Sequence, residues 1–352
     1  MLNRIVQQDF ESILQDRMID WSAFAGKTVL ISGANGFLPS YMAQTLLYVN
    51  TKRIQEPVRI IGLVRDKDKA TKRYTPFLTD PHLTFIEHDI TEELGDVGPV
   101  DYIIHAASPA SPSIFFTDPV GTINANTLGT THLLSLARKK KISSFLYFST
   151  GEVYGDIFEH KASVAESDYG RIDPLEVRNC YAESKKMGET MCSCWHYQYG
   201  VPVKIIRPSH TYGPGLSLDD SRAFASFVAS IVNKKDIVLK SDGRAQRSFC
   251  YLADAVRAYF LVLLNGINGE AYNVGNDQEM SILELANMLV DISGGTDSRV
   301  VFAIDGNAPS NKASHGLLSN DKVKRLGWSP CTPEREGFER TINSFLEDVT
   351  DE

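Results

Sequence analysis

The chain alternates short apolar runs with segments of helical spacing, and this alternation fills its first two hundred residues. The apolar runs predict strands at about 27–32, 58–64, 83–87, 100–106, 143–150 and 201–207. The segments between them predict helices at 37–50, 118–141 and 180–199. Strands that are apolar throughout and separated by helices are typical of a parallel sheet covered on both faces. We therefore predict an α/β fold, a doubly wound parallel sheet with ligands at the carboxyl edge of its strands.

The two ends of the chain depart from this alternation. In residues 1–25, apolar side chains recur at helical spacing, which predicts an amphipathic helix that packs on the body or on a partner. These side chains are Val6, Phe10, Ile13, Leu14 and Met18. After Arg207 the pattern becomes irregular, with predicted helices at 224–233, 254–264, 281–292 and 334–346 and a short strand at 271–274. We expect this last third to form a smaller cap over the sheet edge.

Composition narrows the class of protein. With 352 residues, 43% hydrophobic and 23% charged, the chain is an ordinary globular protein large enough for a sizeable core. A formal net charge of −8 argues against nucleic acid as a partner, and no apolar run reaches the length of a membrane span. The cysteines have no zinc-site spacing, so we predict reduced thiols, no metal and a cytoplasmic location. They are Cys180, Cys192, Cys194, Cys250 and Cys331.

A glycine-containing turn, Gly33-Ala34-Asn35-Gly36-Phe37-Leu38, joins the first predicted strand to the first helix. Such a turn lets the backbone approach a pyrophosphate, and the helix N-terminus supplies amide donors and positive potential. The usual third glycine is Pro39, which the first helical turn tolerates. The turn predicts a dinucleotide site, with a plain structural turn as the alternative. The residues expected to contact the cofactor here are Gly33, Asn35, Gly36, Phe37 and Leu38.

This site gives each region of the chain an expected role. Residues 1–25 are predicted to be an N-terminal helical extension. Residues 26–207 are predicted to form a dinucleotide-binding Rossmann domain, to which 236–265 returns. Residues 208–235 and 266–352 are predicted to form the smaller C-terminal substrate-binding cap.

The end of the second strand gives two conflicting signals about the cofactor. An acidic residue there would bind the ribose 2′-hydroxyl of NAD, whereas an arginine fits the 2′-phosphate of NADP. The sequence has Arg65 followed by Asp66, so NAD and NADP both stay open, and Arg65 also fits a solvated surface charge. After the third strand, Asp89 and Ile90 are candidate adenine contacts or a capped loop.

The candidate catalytic residues lie at the fifth strand and the helix that follows it. Tyr181 and Lys185 are four residues apart and share a helix face. An ammonium beside a phenol stabilises the phenolate, which makes tyrosine a usable base near neutral pH. Thr150 and Glu152 follow the fifth strand, although Glu152 alone also fits a carboxylate that caps a loop. Together these groups suit hydride transfer at a carbon that bears a hydroxyl.

In chain order, these pieces resemble the extended short-chain dehydrogenase/reductases of the NAD-dependent epimerase/dehydratase family, which modify nucleotide sugars. The resemblance runs from about Lys27 to Leu346 and includes His105-Ala106-Ala107, Asn126-Thr127-Leu128-Gly129-Thr130, Arg207-Pro208, Tyr212-Gly213-Pro214 and Arg247-Ser248-Phe249. The nearest likeness is to UDP-glucuronate decarboxylases, through Ala107-Ser108-Pro109-Ala110-Ser111-Pro112, the segment 149–156 and Glu189-Thr190-Met191-Cys192. The departures are Pro39, Arg65 and His210, which stands where the family usually has asparagine.

The resemblance implies further roles. Tyr181, Lys185, Ala106, Ala107, Ser108 and Asn126 would contact the cofactor, and Ser108 would also contact the substrate. Arg247 resembles the arginine that binds the substrate diphosphate, with Arg222 and His210 as helpers. Arg178 would either meet a sugar carboxylate or pair with Glu176, and we expect the pairing. The family also implies a homodimer through the helices at 118–141 and 180–199.

The implied reaction begins with oxidation of the sugar at C4. Tyr181 would remove the C4 hydroxyl proton, Thr150 would bond that oxygen, and hydride would pass to the cofactor. The resulting 4-ketone permits decarboxylation, loss of water, epimerisation at C4 or net reduction. Gly151 has no proton to give a departing hydroxyl, which counts against dehydration, and Glu152 favours chemistry at C5. Decarboxylation fits best. A non-catalytic dinucleotide sensor is the alternative from another class, and the intact Thr150, Tyr181 and Lys185 set argues against it.

Overall fold

The computed structural model describes residues 2–159, 161–294, 298–304 and 316–350. The strands are β1 Thr28–Ser32, β2 Arg59–Val64, β3 Leu83–Glu87, β4 Tyr102–His105, β5 Ser144–Phe148, β6 Ser163–Val164, β7 Val203–Pro208, β8 His210–Tyr212, β9 Ile237–Leu239, β10 Gln246–Arg247, β11 Phe249–Tyr251, β12 Ala271–Val274, β13 Met280–Ser281, β14 Val300–Phe302 and β15 Leu317–Leu318. The helices are α1 Arg4–Gln15, α2 Phe37–Lys52, α3 Lys67–Arg73, α4 Pro112–Thr117, α5 Pro119–Lys140, α6 Cys180–Tyr199, α7 Ala223–Val232, α8 Leu252–Asn265, α9 Ile282–Ile292, α10 Asp321–Lys324 and α11 Glu334–Thr350.

Seven strands form one parallel sheet in the order β12-β7-β5-β4-β1-β2-β3. The chain builds outward in one direction from β1 to β3 and in the other from β4 to β12. The order reverses between β1 and β4, and ligands of doubly wound sheets bind beside such a switch point. The predicted fold class is confirmed, and the six strands predicted in the first two hundred residues lie within two residues of their observed bounds.

Both faces of the sheet are covered, which explains why its central strands are largely apolar. Helices α2 and α8 pack on one face, where they contribute Leu46, Leu47 and Tyr259 to the larger core. Helices α5 and α6 cover the other face, where Leu133 and Cys192 are buried. Burial on both sides removes the polar positions that an exposed sheet face would show.

The N-terminal extension is a docked helix, as predicted. Asn3 caps α1 by accepting hydrogen bonds from the amides of Ile5 and Val6. The apolar face of α1 is buried against α8, α11 and α2. Within this contact, Asp9 is buried and bonds Arg340, Tyr41 and Tyr251. Burial raises the pKa of Asp9, and the contacts with Arg340 and the two tyrosines oppose that rise.

The C-terminal third differs from its prediction at one strand. The range 266–352 was assigned to the cap, but β12 at 271–274 is the edge strand of the main sheet and pairs in parallel with β7. Helix α8 also contacts β5 and β7, so the chain returns to the sheet twice after Arg207. The sequence pattern did not predict this pairing, because the residues of a four-residue strand do not indicate which strand it pairs with. Among the described residues, no helix has the length and apolar character needed to cross a membrane.

Candidate active site

One cavity of about 510 Å³ opens at the carboxyl edge of the sheet, beside the switch point. It is formed by the glycine turn, the ends of β4, β5 and β7, the start of α6 and the cap. The predicted site residues that line it are Gly36, Phe37, Leu38, Ala106, Ser108, Thr150, Glu152, Tyr181, Lys185, His210, Arg222 and Arg247. The residues predicted for cofactor, chemistry and substrate therefore meet in one place. Gly33, Asn35, Arg65, Ala107, Asp89, Ile90, Asn126 and Arg178 are outside this lining.

The glycine turn packs closely against the end of β4 and leaves the start of α2 open at the cavity. Gly33 has a φ of +66°, and a Cβ there would lie 2.8 Å from the Cα of Ala107. Gly36 is the N-cap of α2 and offers no side chain to the first amides of the helix. Those amides and the positive helix terminus therefore remain available at the cavity, which fits a dinucleotide phosphate. Pro39 lies in the first turn of α2, as the sequence predicted.

The acidic residues at the ribose and adenine positions are already engaged by the protein. Asp66 caps α3 by accepting from the amide of Lys69 at 2.9 Å, and Arg65 beside it is exposed. Asp89 accepts hydrogen bonds from the amide and the hydroxyl of Thr91. These bonds lower the pKa of Asp89, and the bond from the amide contributes most. These contacts cap the loop, and contact of Asp89 with adenine stays a prediction. Ile90 is buried against Gly129 of α5. A Cβ on Gly129 would lie only 2.9 Å from Cγ1 of Ile90.

A buried hydrogen-bond chain supports the end of β4. Ser32 Oγ accepts from the amides of Ala106 and Ala107, each at 3.1 Å. His105 lies 2.8 Å from the same oxygen and 3.0 Å from Thr130 Oγ1. Burial lowers the pKa of His105 to about 3, so its ring is neutral at physiological pH. Ser32 was not predicted as a site residue, because a serine at a strand end gives no distinctive pattern.

Tyr181 and Lys185 lie one helical turn apart on α6, but different groups shift their pKa values. Burial raises the pKa of Tyr181 well above its ordinary value, and the charge of Glu152 raises it further. Thr150, Arg222 and Arg178 lower it. Lys185 Nζ donates to the carbonyl oxygen of Phe148 at 2.7 Å, and burial lowers the pKa of Lys185 to about 7. Lys185 was predicted to stabilise the phenolate of Tyr181, but the groups that lower the pKa of Tyr181 here are Thr150, Arg222 and Arg178.

An aromatic side chain that the sequence did not single out supports Tyr181. The ring of Phe115, on α4, stacks on the Tyr181 ring with centroids 4.7 Å apart and planes at 12°. The guanidinium of Arg178 lies 5.4 Å from the centroid of the Phe115 ring. Asn126 is outside the cavity lining. Its side-chain amide donates to Ser184 Oγ, and Ser184 directly precedes Lys185 on α6.

Arg178 has a different partner from the one predicted. Its Nη1 lies 2.7 Å from Glu152 Oε2, whereas a pair with Glu176 was expected. The two side chains are each about 40% exposed, at 39% for Arg178 and 41% for Glu152. The short helical segment after β5 turns the chain back over the cavity and brings Glu152 to the start of α6. Glu152 therefore lines the cavity. Arg178 contacts Glu152 but does not itself line the cavity.

A buried ion pair ties α6 to β7, and a further bond ties α6 to the end of β5. Glu189 accepts two bonds from Arg207, one to each carboxylate oxygen, and a third from Ser149 Oγ. Arg207 also donates to the hydroxyl of Tyr154 at 2.8 Å. Because Glu189 is one helical turn after Lys185, α6 holds residues 148 and 149 by two successive bonds. These bonds fix the position of Thr150.

The cap supplies the cations of the cavity. Arg247 is half-buried, and burial lowers its pKa. Arg222 also lines the cavity, but Asp220 pairs with it at 2.6 Å. The pKa of His210 is lowered to about 4, mainly by burial and further by the charges of Arg247 and Arg222. His210 was expected to help as a cation; its ring is neutral at pH 7 and offers a hydrogen bond only.

Gly151 lies between Thr150 and Glu152, at the position where an acid would protonate a leaving hydroxyl. A Cβ there would make ordinary contacts, 3.5 Å from Leu318 and 3.6 Å from the carbonyl oxygen of Pro208. Packing therefore does not require glycine at this position. Among the described residues, no group of three or more His, Cys, Asp and Glu side chains could hold a metal ion.

Comparisons with known proteins agree with this geometry. The model of the NAD dependent epimerase/dehydratase family matches residues 29–275. UDP-glucuronic acid decarboxylase 5 of Arabidopsis thaliana is 32% identical over 310 residues, which cover 88% of this chain and 86% of that protein. UDP-glucuronic acid decarboxylase 1 of Xenopus tropicalis is 30% identical over 92% of this chain and 73% of that protein.

Solved structures are similar in fold. The dTDP-glucose 4,6-dehydratase DesIV of Streptomyces venezuelae, solved with NAD, has a TM-score of 0.75 at 26% identity and covers 92% of this chain and 98% of that one. UDP-glucose 4-epimerase of Thermotoga maritima has a TM-score of 0.78 at 22% identity, with 92% and 99% coverage, and shows the shared fold. The predicted resemblance and enzyme class are confirmed. The chain belongs to the NAD-dependent epimerase/dehydratase family.

Proposed function

We propose that this protein is an NAD-dependent decarboxylase of UDP-glucuronate, which it converts to the corresponding pentose nucleotide. The observation that carries this proposal is the pairing of Glu152 with Arg178 beside Thr150 and Tyr181, while Gly151 supplies no acid. The arginine offers a contact to a sugar carboxylate, and the glycine withholds the group that dehydration requires. The names of the relatives support the same substrate.

The first step of the proposed cycle is removal of a proton from the sugar hydroxyl at C4. Tyr181 takes this proton while Thr150 holds the oxygen, and the arginines near Tyr181 offset part of the cost of a buried phenolate. The chemistry that NAD would supply when bound is hydride exchange with C4. Gly33, Gly36 and the first amides of α2 would hold its pyrophosphate. Lys185 would hold the nicotinamide ribose near the end of β5.

The second step is loss of the carboxyl group. A ketone at C4 makes the C6 carboxylate a β-keto acid, which loses carbon dioxide when electrons can move onto the ketone oxygen. Tyr181, now protonated, and Thr150 are placed to stabilise that oxygen. Arg178 would hold the carboxylate in place of Glu152 until the bond breaks. C5 then gains a proton in place of the carboxyl group, and Glu152, whose half-exposed carboxyl can take a proton from solvent, would deliver it.

The substrate diphosphate would bind at the cap. Arg247 and Arg222 line this end of the cavity, and the neutral ring of His210 lies near both. A diphosphate would bind the half-buried Arg247 through charge-assisted hydrogen bonds, because a guanidinium pairs well with phosphate oxygens. Ser108 lines the same cavity and would contact the sugar.

The proposal extends to assembly and location. A homodimer through α5 and α6 is supported by exposed apolar side chains on both helices, including Val120, Ile123, Met187 and Tyr197. Val120 and Ile123 are one turn apart on α5, as side chains on one helix face would be. A cytoplasmic location is supported by the five cysteines, which are all free thiols.

The deciding experiment incubates the purified protein and NAD with a panel of UDP-, dTDP-, GDP- and CDP-sugars and follows product mass. We expect UDP-glucuronate to lose the mass of carbon dioxide without added reduced cofactor. Loss of water from a hexose nucleotide would instead identify a dehydratase. An unchanged mass with a new C4 configuration would identify an epimerase, and turnover only with added NADH or NADPH a ketoreductase. The Tyr181→Phe variant is the matched control and should show no turnover.

A further inference from the structure

A second groove of about 620 Å³ lies beside the glycine turn, and the start of α2 separates it from the substrate cavity. Residues 36–39 line the cavity, whereas Asn35 and Ser40 line the groove, and the two have no lining residue in common. The walls of the groove come from the N-terminal extension, α2, α3, the loop at 214–217 and α11. It is therefore a junction of the extension, the main sheet domain and the cap.

Arg73, at the end of α3, lines this groove without a carboxylate partner among the described residues. Its Nη1 donates to the carbonyl oxygen of Gly215 at 3.1 Å and reaches Ser40 Oγ at 3.5 Å. Burial lowers the pKa of Arg73. A guanidinium that gives up water without gaining a counter-ion carries a cost in free energy, which a bound anion would offset.

Three other arginines that are buried or half-buried each pair with a carboxylate. The pairs are Arg207 with Glu189, Arg257 with Asp254 and Arg340 with Asp9. In each pair burial acts to lower the arginine pKa, but the carboxylate and its neighbours together outweigh burial and the pKa is raised. Burial lowers the pKa of Arg247 in the substrate cavity, as it does for Arg73. Arg73 thus resembles the arginine for which we propose a diphosphate partner.

The remaining charges of the groove have the same sign. Lys69 and Lys72 line it with Arg73, and none of the described lining residues is an aspartate or glutamate. Lys69 has a carboxylate nearby, Asp66 at 3.3 Å, in an exposed pair. The ammonium of Lys72 makes no hydrogen bond or ion pair with the described residues. Apolar walls complete the groove, and they include Leu2, Pro76, Leu216 and Phe345.

We propose that this groove is a second binding site, separate from the catalytic cavity, for a small molecule that carries a phosphate group. Arg73 and Lys72 would bind the phosphate oxygens, since arginine and lysine are the usual protein partners of phosphate. The apolar walls would hold the organic part of the ligand. The volume lies within the range of sites for small organic ligands. The proposal does not depend on the reaction catalysed in the first cavity.

The test measures binding of inorganic pyrophosphate to the full-length, NAD-saturated protein by isothermal titration calorimetry. It uses an Arg222→Gln, Arg247→Gln background, so that the cations of the substrate cavity do not contribute. We expect one pyrophosphate per chain, about tenfold or weaker binding after Arg73→Gln and about threefold weaker binding after Lys72→Gln, from the usual strength of charge-assisted hydrogen bonds. Lys67→Gln is the matched control, because Lys67 is exposed on the same helix and does not line the groove. It should change affinity less than twofold.

Three outcomes would overturn the proposal. One is no pyrophosphate binding in the background protein, and another is equal affinity in Arg73→Gln, Lys72→Gln and Lys67→Gln. The third concerns the cofactor: if NADP in place of NAD abolishes pyrophosphate binding, the groove accepts the cofactor's own 2′-phosphate and is not a separate site. Arg73 also contacts the cap loop, so its variant is checked by circular dichroism. Lys72→Gln removes no contact within the protein and keeps the test decisive if Arg73→Gln misfolds.

Discussion

Glu152 and Arg178 form an ion pair with 2.7 Å between Oε2 and Nη1, at the point where the segment after β5 meets the start of α6. Both side chains are partly exposed, so the pair itself adds little to stability. Its significance lies in its position, because the Glu152 carboxylate occupies the place where Arg178 could receive a carboxylate from a substrate. In the proposed reaction, the pair would link the choice of substrate to Glu152, the residue proposed to act at C5.

Replacing Arg178 should therefore affect substrates according to their carboxylate. We expect Arg178→Gln to raise KM for UDP-glucuronate by about 10- to 100-fold, the usual effect of losing a charge-assisted bond. Binding of UDP, which has no sugar carboxylate, should change less than twofold. Steady-state kinetics and calorimetry measure the two quantities. Arg299→Gln, which alters an exposed pair with Asp236, is the control. Equal weakening of both ligands would show that Arg178 serves only the fold.

Substitution of Gly151 tests why this position has no side chain. Because a Cβ makes only ordinary contacts there, Gly151→Ala should fold normally and retain decarboxylation within about threefold. Gly151→Asp places a second carboxylate beside Glu152, and repulsion of the substrate carboxylate should lower kcat/KM about tenfold or more. Thermal melting verifies the fold, and product mass measures the reaction. A similar loss in both variants would mean that shape, rather than charge, restricts this position.

The ion pair of Glu189 with Arg207 predicts a shift in the pH profile. The charge of Glu189 opposes the effect of burial, which lowers the pKa of Lys185 to about 7. Glu189→Gln removes that support, so the pKa of Lys185 should fall and the ammonium should be lost at a lower pH. We expect the alkaline limb of kcat/KM to move toward lower pH. Ser149→Ala removes the same tether without a charge and should reduce kcat without moving the limb. An unmoved limb in Glu189→Gln would contradict the electrostatic coupling.

Assembly through α5 and α6 is tested by a charge on their exposed face. Met187→Glu introduces a carboxylate at a half-exposed apolar position of α6, where desolvation in an interface would be costly. We expect sedimentation equilibrium to show a dimer for the natural sequence and a monomer for the variant. Ile267→Glu, at an exposed apolar residue outside these helices, should leave the dimer intact. A monomeric natural protein would rule out the proposed assembly.

The sequence predicted those features that depend on local patterns. Apolar runs located the strands, and the motif around Tyr181 located the centre of the cavity, because strand ends of a parallel sheet meet at one edge. Contacts between distant segments were not predictable. Arg178 pairs with a residue 26 positions away rather than with Glu176, and the charge state of His210 depends on burial by the cap. Arg73 gave no signal in the sequence, since only the fold shows that no carboxylate of the described residues pairs with it.

Lys204 provides a prediction about stability that is independent of catalysis. It is buried on β7, its Nζ donates to Ser144 Oγ at 2.8 Å, and burial lowers its pKa to about 8. Between that value and the ordinary 10.5, the unfolded chain holds a proton that the folded chain lacks. The free energy of unfolding should therefore rise with pH across this window. Lys204→Met removes the buried charge, so it should raise the melting temperature at pH 7, with an advantage that shrinks toward pH 10. The exposed Lys139→Met should show no such pH dependence. A constant advantage at every pH would mean that packing, rather than the buried charge, accounts for the effect.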